Sequence, residues 1–370
     1  MRCPAMLPEQ TGLRRPTPCL RATATAGARL PATWGPVMSD TLVLAGDIGG
    51  TKSSLAFFRG SPNAPEAVTE RVYRNHEFAS LAEVVGRFHA DTGLTAATAC
   101  FGVAGAVLAG ASHLPNLDWE LSETDLAVAL KLGSVRLLND LEANAHGIRT
   151  LEPEQFFKLN PGSPHPGGNQ ALIAAGTGLG MALLLHDGPG YRVSASEGGH
   201  ADFAPRNQEE VGLWQFLTAR FGRVSVERVV SGRGIEAIYD FLKDGGMAEP
   251  DGLAMQLEGA ADRAAVIAKA GMSGEAAICA KALDMFLSAY GAAAGNLALM
   301  ALATGGLYIG GGIAPRLIDA FPMSGFMAAL KDKGRFGGLL GQIPVQIILE
   351  PRTALYGAAA CALRQCVSKS

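Results

Sequence analysis

Short apolar runs separated by a glycine turn mark the first folded part of the chain, from Thr41 onward. Leu42–Ala45 is apolar, Gly49–Thr51 supplies turn residues, and Ser53–Phe58 is a second apolar run. Two strands joined by so few residues, with glycine between them, are typical of a β-hairpin. The sequence therefore predicts an antiparallel strand pair here, rather than the strand–loop–helix unit of a dinucleotide-binding fold.

The same pattern returns in the second half of the chain. Ala171–Ala174 is apolar, Gly176–Gly178 is a glycine turn, and Leu179–Leu185 is apolar again. A Pro/Gly-rich loop at residues 161–169 precedes this repeat and is a candidate boundary between the two halves. The repeat predicts two similar parts, each built around one hairpin.

Between the two hairpins, the pattern alternates between the periods of strands and helices. Leu81–His89 has helical spacing, whereas Thr98–Val103 and Val135–Leu138 are typical of short buried strands. Helical spacing resumes at Leu141–Ile148. This alternation, in a chain of 370 residues, predicts an α/β fold with two lobes.

One uncharged stretch, between Met285 and Pro315, is long enough to span a membrane. Repeated glycines interrupt it, however, and divide it into shorter pieces. We predict a buried helix of small residues over Met285–Thr304, then a turn and a short strand at Leu307–Ile309.

The first 37 residues differ from the rest of the chain. They carry five arginines, a single acid at Glu9 and several prolines, without an apolar period. This composition suits either an organelle transit peptide or an extension that does not fold, with Met38 as the true start. We favour the second interpretation because no amphipathic period is visible, and we expect residues 1–40 to be disordered.

The composition and charge of the chain limit the classes of partner that it can have. Hydrophobic residues make up 48% of the chain, charged residues 18%, and the formal net charge is -3. These values indicate a soluble globular protein without the basic stripe of a nucleic-acid surface. Six scattered cysteines without C-x-x-C spacing predict reduced, unpaired thiols rather than a zinc site. We expect neither nucleic acid nor a membrane as a partner.

The two glycine turns are candidate phosphate-binding loops. Glycines at Gly49–Thr51 let backbone N–H groups approach a phosphate closely, and the threonine adds a hydroxyl donor. Asp47, at the end of the preceding strand, could hold Mg²⁺ directly or through water. The spacing is not that of a Walker A loop. Gly176–Gly178 repeats the arrangement, so two turns could hold a nucleotide's phosphates from both sides; a plain hairpin turn is the alternative for each.

Asn139–Asp140 follows a buried strand and offers a carboxylate at its end. Such a carboxylate could accept the proton of a sugar hydroxyl during phosphoryl transfer. The alternative is an N-cap for the helix that follows, because Asn and Asp are preferred cap residues.

Three further motifs carry candidate ligand contacts. Glu197 and His200, joined by two glycines, match the hydrogen-bonding needs of a polyol, although a metal site is an alternative without an evident third ligand. Glu227 is an isolated acid in a helical stretch, where a merely solvated side chain is the alternative. Gly310–Gly312 would permit the flat approach of an adenine or ribose, or would simply form a turn.

Taken together, these motifs resemble those of the bacterial hexokinase-type glucokinases, within the superfamily of actin-like, hexokinase-like and Hsp70-like ATPases. The resemblance runs from about residue 42 to residue 365. Its most specific motifs are SEGGHADFAP at 196–205 and VERVVSGRG at 226–234. The glycine turns, including LAGDIGGTK at 44–52, indicate only the superfamily.

This resemblance implies two RNase H-like lobes with the active site between them. Residues 41–149 and about 353–370 would form the small lobe, and residues 150–352 the large lobe. The implied enzyme is cytoplasmic and homodimeric, uses ATP and Mg²⁺, and phosphorylates glucose, with Asp140 as catalytic base and Asp47 near Mg²⁺. The residues implied to contact glucose are Asn116, Asn139, Asp140, Glu197, His200 and Glu227. Those implied to contact ATP are Gly49, Gly50, Thr51, Gly176, Thr177, Gly178, Gly311 and Gly312.

Several alternatives stay open on the sequence. ROK sugar kinases also carry a DIGGTK loop, but their zinc-binding C-x-C-G-x-x-G-C cluster is absent from this sequence. The substrate could be another hexose or an amino sugar, since one pocket contact can switch selectivity. A sugar-binding regulator without catalysis is disfavoured because Asp140 is present and a helix-turn-helix pattern is not. An actin-like filament ATPase is disfavoured by Glu197 and His200.

Overall fold

The structure, a computed structural model, describes residues 39–188 and 190–367. The interpretation of the N-terminal leader therefore falls almost entirely outside the described residues. Within them, two large β-sheets with helices packed against them make a mixed α/β fold. A third, two-stranded sheet is formed by a segment that lies, in the sequence, between two strands of the first large sheet.

Five strands form the first sheet, in the order β3-β2-β1-β4-β7. The first strand, β1 (Ser39–Ile48), pairs antiparallel with β2 (Lys52–Ser61), which pairs antiparallel with β3 (Ala64–Arg74). On its other side, β1 runs parallel to β4 (Thr98–Val103), which runs parallel to β7 (Ser134–Asn139). The predicted first hairpin is confirmed.

Helices cover both faces of this sheet. Leucine, valine and phenylalanine residues recur along one side of α1 (Leu81–Thr92) and pack with α2 (Glu123–Leu130) on one face. The other face packs against α11 (Thr353–Val367), which also contacts α3 (Asp140–Gly147). The small sheet of β5 (Ala111–Leu114) and β6 (Trp119–Ser122) carries Asn116 in its connecting turn.

The second sheet has six strands and repeats the order of the first. The second hairpin and the strand that follows it are successively antiparallel. Two more strands run parallel to the first strand of that hairpin, and one antiparallel strand is added at the edge. In sheet order, they are β11 (Gly190–Ser196), β10 (Leu179–Asp187), β9 (Gln170–Ala175), β12 (Gly306–Gly310), β13 (Val345–Ile348) and β8 (Phe156–Asn160). The second hairpin and the internal repeat are therefore confirmed, and the two glycine turns occupy equivalent places.

The Pro/Gly-rich loop at residues 161–169 does not separate the two sheets. It joins β8 to β9, which belong to the same sheet. The chain instead passes between the sheets after α3 and returns after β13. These two crossings are hydrogen-bonded to each other, from Leu349 N–H to the Gln155 carbonyl at 2.8 Å and from Gln155 Nε2 to Glu350 Oε2 at 2.9 Å.

The predicted helix of small residues is α8 (Ala277–Ala301), which begins earlier than the predicted Met285 and ends before Thr304. Lack of charge was a poor guide to its start, because Lys281 lies within it and pairs with Glu209 at 2.8 Å. Leu302, with φ of 47°, ends the helix in a left-handed conformation. Within the described chain, α8 is the one helix long and apolar enough to cross a membrane, and most of it is buried inside the protein.

The helix α8 belongs to the largest hydrophobic core, which lies against one face of the second sheet. Six further helices of this half complete the fold: α4 (Gln208–Phe221), α5 (Gly232–Asp244), α6 (Asp251–Glu258), α7 (Arg263–Ser273), α9 (Phe326–Lys331) and α10 (Gly337–Gln342).

Candidate active site

A cavity of about 1110 Å³ is lined by residues from both large sheets. Its walls include the two glycine turns, the junction of β7 and α3, and the segment after β11. The predicted site residues that line it are Asp47, Gly50, Thr51, Asn116, Asn139, Asp140, Gly176, Thr177, Gly178, Glu197, His200, Glu227, Gly311 and Gly312. Gly49 is not part of the lining; its N–H closes the first turn by donating to the Lys52 carbonyl at 3.0 Å.

At the junction of β7 and α3, Asn139 caps the helix, whereas Asp140 supplies the carboxylate. Asn139 is the N-cap of α3: its Oδ1 accepts the Leu141 and Glu142 N–H groups at 2.9 and 3.4 Å. Its Nδ2 donates to the Gly105 carbonyl at 3.1 Å. Capping by Asn139 fixes Asp140 at the first position of the helix, where the side chain lines the cavity.

The electrostatic surroundings of Asp140 raise its pKa above that of an ordinary carboxyl in water. Burial raises its pKa to about 6, and the negative charges of Asp47 and Glu197 act in the same direction. The Leu141 N–H, which donates to Oδ1 at 2.9 Å, opposes this shift. Burial also raises the pKa of Asp47, although Lys52 lowers it. A proton or a cation would therefore be stabilised between these two carboxylates.

The first glycine turn is tied to a residue that the sequence did not indicate. Asn75, which is fully buried, donates from Nδ2 to the Gly49 carbonyl at 2.7 Å. Its backbone N–H donates to the Thr51 carbonyl at 3.0 Å, and its Oδ1 accepts the Ser53 hydroxyl at 2.7 Å. An asparagine after a strand is an ordinary turn residue, so no local signal marks it.

The second glycine turn is held by Glu227. Its Oε2 accepts the Leu179 N–H at 2.8 Å, immediately after the turn. A Cβ atom at Gly178 would lie only 2.6 Å from the same oxygen, so the side chain packs directly on the turn. The Gly232 N–H donates to the Gly176 carbonyl at 2.9 Å. The merely solvated alternative for Glu227 is therefore wrong.

The segment after β11 presents Glu197 and His200 to the cavity. Both side chains are exposed, and a short 3-10 turn over Gly198–His200 orients them. Arg223 fastens this segment by donating to the His200 carbonyl and to Asp202. Across residues 39–188 and 190–367, no three His, Cys, Asp or Glu side chains group to hold a metal ion. This arrangement suits hydrogen bonding to a polar ligand.

A second cavity, of about 560 Å³, adjoins the first and shares Gly176, Thr177, Gly312 and Arg316 with it. In the lining of the first cavity, next to Gly312, Gly311 has φ of +83°, and a Cβ atom there would lie 2.3 Å from the Ala175 carbonyl oxygen. Only glycine fits this close approach. The sequence did not indicate the polar residues that line this second cavity, which include Arg233, Glu236, Asp262 and Arg316.

Comparison with known proteins gives consistent matches over almost the whole described chain. A profile of the Glucokinase family matches residues 44–365. A glucokinase from Nostoc sp. is 42% identical over 341 residues, which cover 88% of this chain and 99% of that protein.

Solved structures agree with these sequence matches. The glucokinase of an Antarctic psychrotroph has a TM-score of 0.78 at 30% identity, and the match covers 88% of this chain and all of that one. A ROK family glucokinase from Streptomyces griseus, solved with glucose and AMPPNP, has a TM-score of 0.60 at 20% identity, with 88% and 99% of the chains covered. The second likeness concerns the fold alone.

Proposed function

The chain belongs to the glucokinase family, and we propose that its large cavity transfers the γ-phosphoryl group of ATP to the 6-hydroxyl of glucose. The products are glucose 6-phosphate and ADP. One observation carries the assignment of the site: two glycine turns from two sheets of the same strand order, and a buried carboxylate of raised pKa, line the same cavity. Phosphoryl transfer needs these elements, because positioning and electrostatics supply most of its acceleration.

We assign Asp140 as the general base. A pKa of about 6 leaves the carboxylate mostly ionised at neutral pH yet basic enough to accept a proton late in the reaction. Oδ1 accepts the Leu141 N–H, and we assign Oδ2 to the 6-hydroxyl of the sugar. Asn139 orients this carboxylate by capping α3.

The sugar would lie between Asp140 and the segment after β11. Glu197 and His200 are exposed to the cavity and offer acceptors and donors for the ring hydroxyls. Asn116 and Glu227 line the same space. Asn139 would contact the sugar through the second N–H of its Nδ2, because the first donates to the Gly105 carbonyl and Oδ1 accepts two backbone N–H groups.

The nucleotide would lie along the glycine turns. The backbone at Gly50 and Thr51 would face the phosphates from one side, and that at Gly176, Thr177 and Gly178 from the other. Gly49, whose N–H and carbonyl both bond the protein, would shape the first turn rather than contact ATP. The smaller cavity, which shares Gly176, Thr177 and Gly312 with the large one, has room for the adenosine. Gly311 and Gly312 would contact the nucleotide where the two cavities meet. This division places the reacting phosphate between the turns and Asp140.

Asp47 would hold Mg²⁺, directly or through water. The site fits a divalent cation because burial disfavours the charge of Asp47 and Asp140 lies close enough to add to its field. When bound with ATP, the ion offsets charge on the β- and γ-phosphates.

We further propose that the two sheets are the cores of two RNase H-like lobes. Residues 41–149 with about 353–370 would form the small lobe and residues 150–352 the large lobe, with the cavity as the cleft between them. Closure of the lobes on glucose would exclude water from the phosphoryl group.

We also expect a cytoplasmic homodimer that acts at the start of glycolysis. The dimer is an expectation from the family alone.

A coupled assay with Mg-ATP and a panel of sugars, run beside Asp140→Ala, tests the proposal. We expect glucose to have the highest kcat/KM and the variant to fold but lose nearly all turnover. A preference for another hexose or an amino sugar would change the substrate and leave the mechanism. Glucose binding without turnover would identify a sugar-binding regulator, and a variant with near wild-type kcat would refute the base assignment.

A further inference from the structure

Besides accepting the Phe78 N–H at its carbonyl, Asn75 makes three hydrogen bonds that end on or beside the first glycine turn. Its Nδ2 reaches the Gly49 carbonyl, its backbone N–H reaches the Thr51 carbonyl, and its Oδ1 receives the Ser53 hydroxyl, at 2.7, 3.0 and 2.7 Å. Asn75 and Ser53 are both fully buried. Buried polar groups of this kind are costly to leave unpaired, so the three bonds hold one another in place.

The Gly49 carbonyl sets the direction of the amide, because a carbonyl can only accept a hydrogen bond and the NH₂ group must therefore face it. The amide oxygen of Asn75 then faces the opposite way, where the Ser53 hydroxyl donates to it and holds that end in place. Ser53 lies in β2, one residue beyond the start of the strand, so the sheet itself fixes the hydroxyl. The amide is therefore a rigid clamp rather than a movable side chain.

This clamp determines where a backbone N–H of the turn points. In a trans peptide, the C=O and the following N–H point in opposite directions. Because the Gly49 carbonyl is bonded to Asn75, the N–H of Gly50 is directed away from Asn75. Gly50 lines the large cavity, whereas Asn75 is buried beneath the turn.

The second glycine turn is held in the same way by a different group. There, the Gly176 carbonyl accepts the Gly232 N–H at 2.9 Å, which directs the N–H of Thr177 away from Gly232. Thr177 also lines the cavity. Each turn thus has one carbonyl tied back into the protein.

We propose that Asn75 is a positioning residue for the phosphoryl donor: it fixes the Gly49–Gly50 peptide so that the Gly50 N–H faces the ATP phosphates. Asn75 touches no substrate and acts only through the turn. This inference rests on the proposed kinase function of the cavity.

Two variants and one control test the proposal. Asn75→Ala removes the whole clamp, and Ser53→Ala removes only the hydroxyl that donates to the amide oxygen. Thr98→Val is the matched control, because it removes a buried hydroxyl from β4 of the same sheet that bonds the α11 side and not the turn. The KM values for ATP and for glucose are measured separately, and hydrogen exchange is followed in the peptide that covers residues 47–53 without nucleotide.

If Asn75 positions the turn, kcat/KM for ATP falls about 10- to 100-fold in Asn75→Ala and about 3- to 10-fold in Ser53→Ala. The KM for glucose stays within about twofold, exchange in residues 47–53 accelerates, and Thr98→Val changes none of these. Equal effects on ATP and glucose, or unchanged exchange in the turn, would overturn the proposal. If Asn75→Ala does not fold, Ser53→Ala decides between these outcomes. If the wild-type protein proved not to phosphorylate glucose, the kinase function would fall, whereas the exchange result would still decide whether Asn75 holds the turn.

Discussion

Replacing the proposed base by its amide should stabilise the fold while abolishing turnover. Asp140→Asn keeps the shape of the side chain and an oxygen that can accept the Leu141 N–H at the start of α3. It removes the negative charge that burial disfavours and that Asp47 and Glu197 repel. The carboxylate would therefore be present for catalysis at the expense of stability.

The size of the effect follows from the pKa of Asp140. Its pKa is raised from 3.8 to about 6, and each pKa unit corresponds to about 1.4 kcal/mol. Because the folded-state pKa lies above the unfolded one, the ionised carboxyl destabilises the fold above pH 6, and protonation relieves this as pH falls through 6. The variant should exceed the wild type in unfolding free energy by about 3 kcal/mol at pH 7 and by about half of that at pH 5.

Urea unfolding of both proteins at pH 5 and pH 7, in EDTA and without substrates, measures this difference. Asp187→Asn is the matched control, because it removes an exposed carboxylate at the end of β10 and should not change stability in this pH-dependent way. The coupled glucose assay should show almost no turnover for Asp140→Asn. A variant less stable than the wild type, or a gain identical at the two pH values, would refute the electrostatic argument.

Three further substitutions or labelling experiments probe other parts of the site. Glu197→Gln should raise the KM for glucose about tenfold while the KM for ATP stays within about twofold in steady-state kinetics; equal rises would count against a sugar contact. Gly311→Ala should lower the unfolding free energy by about 1–3 kcal/mol, because φ is +83° and the new Cβ would lie 2.3 Å from a β9 carbonyl, whereas Gly312→Ala, with open space around it, is the control. A hydrogen bond from a neighbouring thiol lowers the pKa of Cys361 to about 7, while burial raises that of Cys279 to about 11. Iodoacetamide at pH 8 should therefore label Cys361 before Cys279 in peptide mass mapping, and equal labelling of these two would contradict this.

The parts of the fold that the sequence predicted are those governed by local chemistry. Both hairpins follow from apolar runs of strand length separated by glycine, and the confirmed turns lie where those glycines stand. The helix after β7 follows from Asn139, which caps it as the residue type predicts. The repeated hairpin predicted two similar parts, and the structure adds that five strands of each sheet follow one order.

The parts that the sequence missed depend on pairing between distant segments. Asn75 bonds Gly49 across 26 positions, and Glu227 bonds the backbone of Leu179 across 48. Neither partner can be read from the residues around it, because both Asn75 and Glu227 lie in short 3-10 turns that only the tertiary fold brings to the glycine turns. The start of α8 was also missed, since the first turns of this mostly buried helix keep a partly exposed side, where Lys281 pairs with Glu209 of α4.

The repeated sheets also explain why one carboxylate of the cavity is suited to act as base and a second is not. The fifth strand of each sheet ends near an acid that lines the cavity: Asp140 after β7 and Glu350 after β13. A hydrogen bond from Arg352 lowers the pKa of Glu350, and Gln155 bonds it as well. Burial instead raises the pKa of Asp140 to about 6, so only this carboxyl combines ionisation at neutral pH with useful basicity. The two acids therefore stand at equivalent places but have pKa values shifted in opposite directions. Glu350 holds the two crossings between the sheets together, whereas Asp140 can accept a proton.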